Sequence, residues 1–270
     1  MARLGACSKA RSMSSQSSPA EQASRIEFLA RINRLSPLIP HYEAILEAMY
    51  RRVIAPGQCV YDIGCHAGRH TTPFLELVGP GGQVVGFEPI PQMAQRLRSL
   101  AAQHRNFTIH ETALSNQSGK TSFAFATGTP EESGLIERQF NHPELAKVRQ
   151  ITVMVNRLDD MVAAQGLPDP HYIKIDVEGA ELDVLDGARD TLARARPILS
   201  VEYGAPGYAP YGHQAMDLWQ FADSAGYAVF DLFGYPLTTP EAWLTECDRG
   251  IWDWFLVPVE RAAQIEALWR

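Results

Sequence analysis

Cysteine is scarce in this 270-residue sequence: Cys7, Cys59, Cys65 and Cys247 are the only four, and no two of them form a C-x-x-C pair. That spacing excludes the common zinc and dithiol motifs, and the four read as free thiols of a reducing compartment. No apolar run is long enough to cross a bilayer, so no membrane span is expected and the expected location is cytoplasmic. Positive charge is also short, with 24 Lys and Arg against 31 Asp and Glu and a net charge of −7. Such a balance lacks the basic footprint of a nucleic-acid binder. The G-x-G-x-x-G turn of dinucleotide-binding folds is missing, and no internal repeat or second apolar core is visible. The first 18 residues hold Arg3, Lys9, Arg11 and many serines but no acidic residue. They have no apolar core of a secretion signal, and residues 1–20 read as a disordered tail.

What is present is an alternation of patterns. Ile26, Leu29, Ile32 and Leu35 recur at helical spacing, and Pro37 and Pro40 end that run. A second helix is predicted over His41–Val53, so residues 21–55 form a helical cover. The core, residues 56–260, then begins. Strands are predicted at Cys59–Ile63, Val84–Phe87, Phe107–His110, Tyr172–Asp176, Ile198–Val201, Tyr227–Leu232 and Trp252–Val257. Helices are predicted at Thr71–Val78, Met93–Ala102, Gly179–Ala195 and His213–Ala225, with a short one within Glu260–Arg270. Strand and helix alternating at this spacing imply an α/β fold with a mostly parallel, seven-stranded sheet and helices on both faces. Residues 120–156 break the rhythm: a strand pair, Thr121–Ala126 and Ile151–Val155, flanks the polar segment Thr127–Gln150 and reads as an insertion. The domain spans residues 21–270.

The strongest local signal is Val60-Tyr61-Asp62-Ile63-Gly64-Cys65-His66-Ala67-Gly68. A strand runs into two glycines, residues that permit a sharp turn against which a ligand lies. Asp62 immediately before that turn is poor company for a pyrophosphate and suits a cationic cofactor such as S-adenosylmethionine. Glu88 ends the second strand, about twenty residues on, where an acidic residue of a Rossmann-like fold accepts hydrogen bonds from ribose hydroxyls. The bland alternative is that Asp62 and Glu88 only cap neighbouring helices. In Lys174-Ile175-Asp176-Val177-Glu178-Gly179-Ala180-Glu181, strand alternation turns Lys174, Asp176 and Glu178 to one side, at the strand edge where open parallel sheets bind ligands.

Taken in order, Asp62, Gly64, Gly68 and Thr71, then Phe87-Glu88-Pro89, Ala113-Leu114-Ser115-Asn116 with Gly119, Leu158-Asp159-Asp160 and Lys174–Glu181 with Val184-Leu185-Asp186-Gly187 resemble the FkbM family of methyltransferases. The resemblance covers roughly residues 58–203. It implies a class I Rossmann-like methyltransferase fold and S-adenosylmethionine as cofactor, held by Asp62, Gly64, Gly68, Glu88, Ser115, Asn116 and Asp176. The sequence departs from the family twice, with His66 where most members carry Asn and Asn116 where most carry Asp.

The resemblance further implies O-methylation of a hydroxyl on a sugar, glycolipid or polyketide-like natural product. A hydroxyl is a weak nucleophile that benefits from a base. The catalytic candidates are Asp176, Glu178 and Glu202, the last at the end of Ser200-Val201-Glu202-Tyr203, with His213 a further one. Converging carboxylates also suit magnesium, but no metal ligand is assigned. The insertion, with Ser133-Gly134-Leu135, is the expected substrate cover, and Tyr208 and Tyr211 either stack on the acceptor or pack on the surface. The expected partner is a small-molecule or glycan acceptor, and C-terminal aromatics leave a homodimer open. The rival functions are an NAD-dependent oxidoreductase and a non-catalytic cofactor-binding homologue.

Overall fold

The computed structural model describes residues 41–140, 143–247 and 250–270; the helix expected around Ile26–Leu35 and the tail of residues 1–20 lie outside them. α1 (His41–Tyr50) leads into β1 (Cys59–Ile63), α2 (Thr71–Val78), β2 (Gln83–Phe87), α3 (Pro91–Ala101) and β3 (Phe107–His110). β4 (Ala113–Leu114), β5 (Gly119–Ala126) and β6 (Val148–Asn156) follow, then α4 (Leu158–Gln165), β7 (Tyr172–Ile175), α5 (Glu181–Asp186), α6 (Arg189–Ala195) and β8 (Ile198–Glu202). The last elements are α7 (Ala215–Ser224), β9 (Tyr227–Phe230), β10 (Pro236–Leu237), α8 (Pro240–Glu246), β11 (Asp253–Pro258) and α9 (Ala262–Trp269).

The main sheet is ordered β10-β9-β11-β8-β7-β1-β2-β3. The five strands from β3 to β8 pair in parallel, and β11 runs antiparallel between β8 and β9. All residues of β1 and β7 are buried, as expected of central parallel strands covered on both faces. The expected α/β class holds, with eight strands rather than seven: Pro236 and Leu237, too short to register as a periodic run, add an edge strand to β9.

Three local expectations change. The helix expected over Gly179–Ala195 is two helices, because the Asp159 carboxylate reaches in from α4 and accepts hydrogen bonds from Asp190 N at 3.0 Å and Thr191 N at 2.8 Å. It thereby satisfies the free N–H groups that start α6. His213 does not open α7; Gln214 and Asp217 form its capping box, so His213 lies just outside. The expected inserted strand pair is a three-stranded sheet, since the β5–β6 hairpin is joined by β4, which pairs in parallel with β6. That small sheet has its own core of Ile90, Met93, Phe123, Phe125, Val153 and Val155.

α1 packs through Tyr50, whose ring lies 4.7 Å from Phe74 on α2 and 6.0 Å from Tyr172 on β7. α9 closes the same side: Trp269 stacks on Phe255 at 4.7 Å and donates from Nε1 to Met49 O at 3.1 Å. Trp243 and Trp254 are fully buried core residues, packed edge to face at 4.7 Å.

Phe123→Ala removes an aromatic ring from the satellite core and costs about 3 kcal/mol locally. Hydrogen exchange should then lose amide protection across residues 119–156 while β1, β2 and β7 keep theirs.

Candidate functional site

At the C-terminal edge of the parallel strands lies a cavity of about 460 Å³, within the roughly 300–1,000 Å³ typical of small-molecule sites. Its floor is the turn after β1. Gly64 has φ 85°, and a Cβ there would stand 1.8 Å from the Asp176 carbonyl oxygen. Only glycine allows β1 to leave the sheet this close to the end of β7. Gly64 N and Cys65 N both donate to Phe87 O, at 3.0 and 3.3 Å, and Asp176 N donates to Ile63 O at 3.1 Å. The turn is thus tied to both neighbouring strands. His66 follows with φ 46°. Among residues with a side chain, Asn, Asp and His best tolerate that left-handed region, so the exchange of Asn for His leaves the turn intact. Gly68 has φ 87°, and a Cβ there would press on Leu97 at 3.2 Å.

Asp62 is buried behind this turn and does not line the cavity. Its Oδ2 accepts a 2.6 Å hydrogen bond from Thr71 Oγ1, and it lies opposite Lys174 in the β1–β7 register. Its other oxygen, Oδ1, is buried without a hydrogen-bond partner among the described residues, beneath the turn to which the sequence assigns a cationic cofactor. Glu88 does line the cavity. Its two oxygens accept from His66 N and Ile90 N, each at 2.8 Å. Burial raises its pKa to about 7 despite those two bonds.

A charged cluster forms the far end. Asp176, Glu178 and Glu202 each present a carboxylate oxygen within 4.8 Å of the others. The buried Lys174 ammonium bonds Asp176 Oδ2 at 2.7 Å. Burial works to raise the Asp176 carboxyl, but the Lys174 charge and a hydrogen bond with Glu202 hold it below the usual carboxylate range. Glu202 goes the other way: burial and the Asp176 charge push it well up, so Glu202 keeps the proton that the pair shares. Asp253, facing Glu202 across β8–β11, is raised by burial to about 7. Glu178 has φ 61° and is ion-paired with Arg138 from the insertion. Glu181 folds back, accepting from Val177 N and Gly179 N, and burial raises it to about 7.

The walls come from α1 and the insertion. Glu43 of α1 bonds His70 Nε2 at 2.5 Å, and Tyr50 OH lies 3.2 Å from His70 Nδ1. The insertion contributes Pro130, Glu131, Ser133 and Leu135. Ser115 and Asn116, which the resemblance assigns to the cofactor, do not line the cavity: β4 turns the chain into the second sheet just before them. Ser115 N bonds Asn156 O at 3.0 Å, and Asn116 Nδ2 bonds Asp183 at 2.9 Å. Thr112, Ala113 and Leu114 line the cavity instead. His213 pairs with Asp183 at 3.7 Å outside the cavity. Tyr208 is buried with its hydroxyl on Glu202 O, and Tyr211 OH accepts from Ile136 N of the insertion. Sequence reasoning missed Glu43, His70, Arg138 and Asp253 as parts of the site. An acid inside the apolar run Trp252–Val257 was a usable signal for Asp253; the other three depend on contacts between distant segments.

The glycine floor, where a Cβ has no room, and the buried Glu88 at the end of β2 fit an S-adenosyl cofactor laid across the strand ends. Five parallel strands with one antiparallel insertion, and acidic residues at the C-terminal ends of β1, β2 and β7, define a class I S-adenosylmethionine-dependent methyltransferase. The family described as Methyltransferase FkbM domain matches residues 62–229. The chain belongs to this FkbM methyltransferase family. The 2-O-methyltransferase NoeI of Sinorhizobium fredii is 33% identical over 163 residues, covering 56% of this chain and 67% of its own length. The 31-O-demethyl-FK506 methyltransferase FkbM of Streptomyces tacrolimicus is 28% identical over 161 residues, covering 51% and 62%. The hexuronic acid methyltransferase AglP of Haloferax volcanii is 28% identical over 134 residues, covering 49% and 51%. The chain thus spans about half to two thirds of the length of these relatives. A crystal structure of a methyltransferase FkbM from Methylobacillus flagellatus superposes with a TM-score of 0.47 at 16% identity, covering 87% of this chain and 58% of that one. The NAD-dependent alternative is not favoured. Among the described residues, no helix is long and apolar enough to cross a membrane.

Gly64→Ala forces a side chain into a positive-φ position and onto a backbone carbonyl that two strands hold in place. The expected loss is at least about 2 kcal/mol of stability, read by urea denaturation.

Proposed function

We propose that the protein methylates a hydroxyl oxygen of a sugar, glycolipid or polyketide-like natural product. The observation that carries the reading is the convergence of Asp176, Glu178 and Glu202 beside the glycine turn. The activities for which the relatives are named, on a 2-O position, a 31-O position and a hexuronic acid, support the acceptor class.

S-adenosylmethionine, when bound, supplies an electrophilic methyl group on a sulfonium. The residues of this chain supply position and proton handling. Asp176 is the anion of the cluster and faces the cavity, so it accepts the proton of the acceptor hydroxyl. Glu202, already protonated, donates its hydrogen bond to Asp176 and keeps that carboxylate oriented. Glu178, fixed by Arg138, accepts from a second hydroxyl. Glu88 accepts from the ribose hydroxyls, Gly64 and Gly68 shape the floor, and Asp62 adds negative potential from beneath.

Two of the three carboxylates already have cationic partners within the chain: Lys174 on Asp176 and Arg138 on Glu178. Methyl transfer is therefore expected to persist in EDTA; loss of activity restored by magnesium would overturn this part of the reading.

The direct test measures S-adenosylhomocysteine release with methyl glycosides, hexuronic acids and macrolide alcohols as acceptors. Release with a hydroxylated acceptor is expected. Methylation of amines or carboxylic acids only would contradict the proposal. With an active acceptor, Asp176→Asn should lower kcat/KM by about 100-fold or more.

Glu88 sets a pH dependence. Its protonated form offers fewer acceptor sites, so ribose binding selects the anion. Below pH 7, near the raised pKa, cofactor binding must release a proton, and affinity should rise with pH until 7 is passed. Calorimetry of S-adenosylhomocysteine between pH 6 and 8 checks the slope, which Glu88→Gln should flatten.

A further inference from the structure

The cofactor of this class carries an α-ammonium on its amino-acid end, and the sequence offered Asp62 as its partner. Asp62 is buried, with Oδ2 bonded to Thr71 and Oδ1 without a hydrogen-bond partner among the described residues, and the cavity presents further anions to that group. The cavity carboxylates differ in what already occupies them. Glu88 is held by two backbone N–H groups, Asp176 by Lys174, and Glu178 by Arg138. Burial and the Asp176 charge push Glu202 well up, and Glu131, exposed on the insertion, makes no hydrogen bond to the turn among the described residues.

Glu43 is different. It lines the cavity, its side chain is 46% exposed, and its one hydrogen bond among the described residues leaves Oε1 open. The hydrogen bond from His70 holds its carboxyl below the usual range, so it is an anion at neutral pH. His70 is itself buried and clamped on its other nitrogen by Tyr50. One helical turn further along α1, Glu47 bonds Arg69 at 2.9 Å. Residues four apart on a helix share a face, so α1 grips consecutive residues of the glycine turn, Arg69 and His70, through Glu47 and Glu43. Arg69 also lines the cavity. The charge of Arg69 is already met by Glu47, so Glu43 is the anion held beside the turn with an oxygen left open.

We propose that Glu43, on the helix that precedes the family-matched segment of residues 62–229, binds the α-ammonium of the cofactor's amino-acid end. The inference rests on the cofactor reading and is independent of the acceptor.

Calorimetry of Glu43→Gln with S-adenosylhomocysteine and with 5′-methylthioadenosine tests it. The second ligand keeps the adenosine and sulfur but has no amino-acid end. The variant should melt at the wild-type temperature, bind S-adenosylhomocysteine about tenfold or more weakly, and bind 5′-methylthioadenosine unchanged. Undiminished affinity for S-adenosylhomocysteine would overturn the assignment. Equal weakening of both ligands would do the same, since it would make Glu43 a general part of the wall. If the wild-type protein bound neither ligand, the cofactor reading would fall along with it.

Discussion

Everything in the site hangs on the close passage of β1 over the end of β7. Gly64 turns where a Cβ would overlap the Asp176 carbonyl, and the amides around it are bonded to Phe87 and Ile63. That single approach brings the turn of residues 64–68 next to the run Lys174–Glu181, more than a hundred residues away in the chain. It also fixes where β2 delivers Glu88. A floor with no side chain then leaves room for a ligand across three strand ends, as open parallel sheets commonly provide.

Around that floor, charges are paired rather than scattered. A buried carboxylate left alone would neutralise itself or destabilise the fold. Lys174 therefore keeps Asp176 ionised, Glu202 takes the proton, and Arg138 reaches from the insertion to Glu178. The left-handed Glu178 and Gly179, at φ 61° and 108°, are the conformational cost of aiming that carboxylate at the cavity. Such strain costs of the order of 1–3 kcal/mol per residue bearing a side chain, and the surrounding bonds to Glu181 hold it in place. The insertion is thus both a wall and a source of counter-charge.

Much of the fold was legible because buried parallel strands and amphipathic helices write strong periodic patterns. β1, α2 and β3 fall where the pattern puts them. The break between α5 and α6 was not legible, because a carboxylate from another segment, Asp159, makes it. In the site, Gly64, Glu88, Asp176, Glu178 and Glu202 come together as their motifs imply. The motif puts Asp62 at the turn, but it does not reveal that Thr71 takes one of its two carboxylate oxygens. Ser115 and Asn116 do not line the cavity, because β4 leaves the main sheet for the second one, a tertiary choice that local spacing does not encode. Glu43 and His70, 27 residues apart, carry no motif at all; only packing of α1 on the turn unites them.

In the proposed arrangement one cavity orders the cofactor from Glu88 at the end of β2 to α1 at the glycine turn. A crystal structure of the complex with S-adenosylhomocysteine tests it most directly. The expected complex has the ribose on the Glu88 carboxylate, the amino-acid end between Glu43 and the turn, and the sulfur pointing toward Asp176. A ligand with its amino-acid end turned away from α1, or bound outside this cavity, would contradict it.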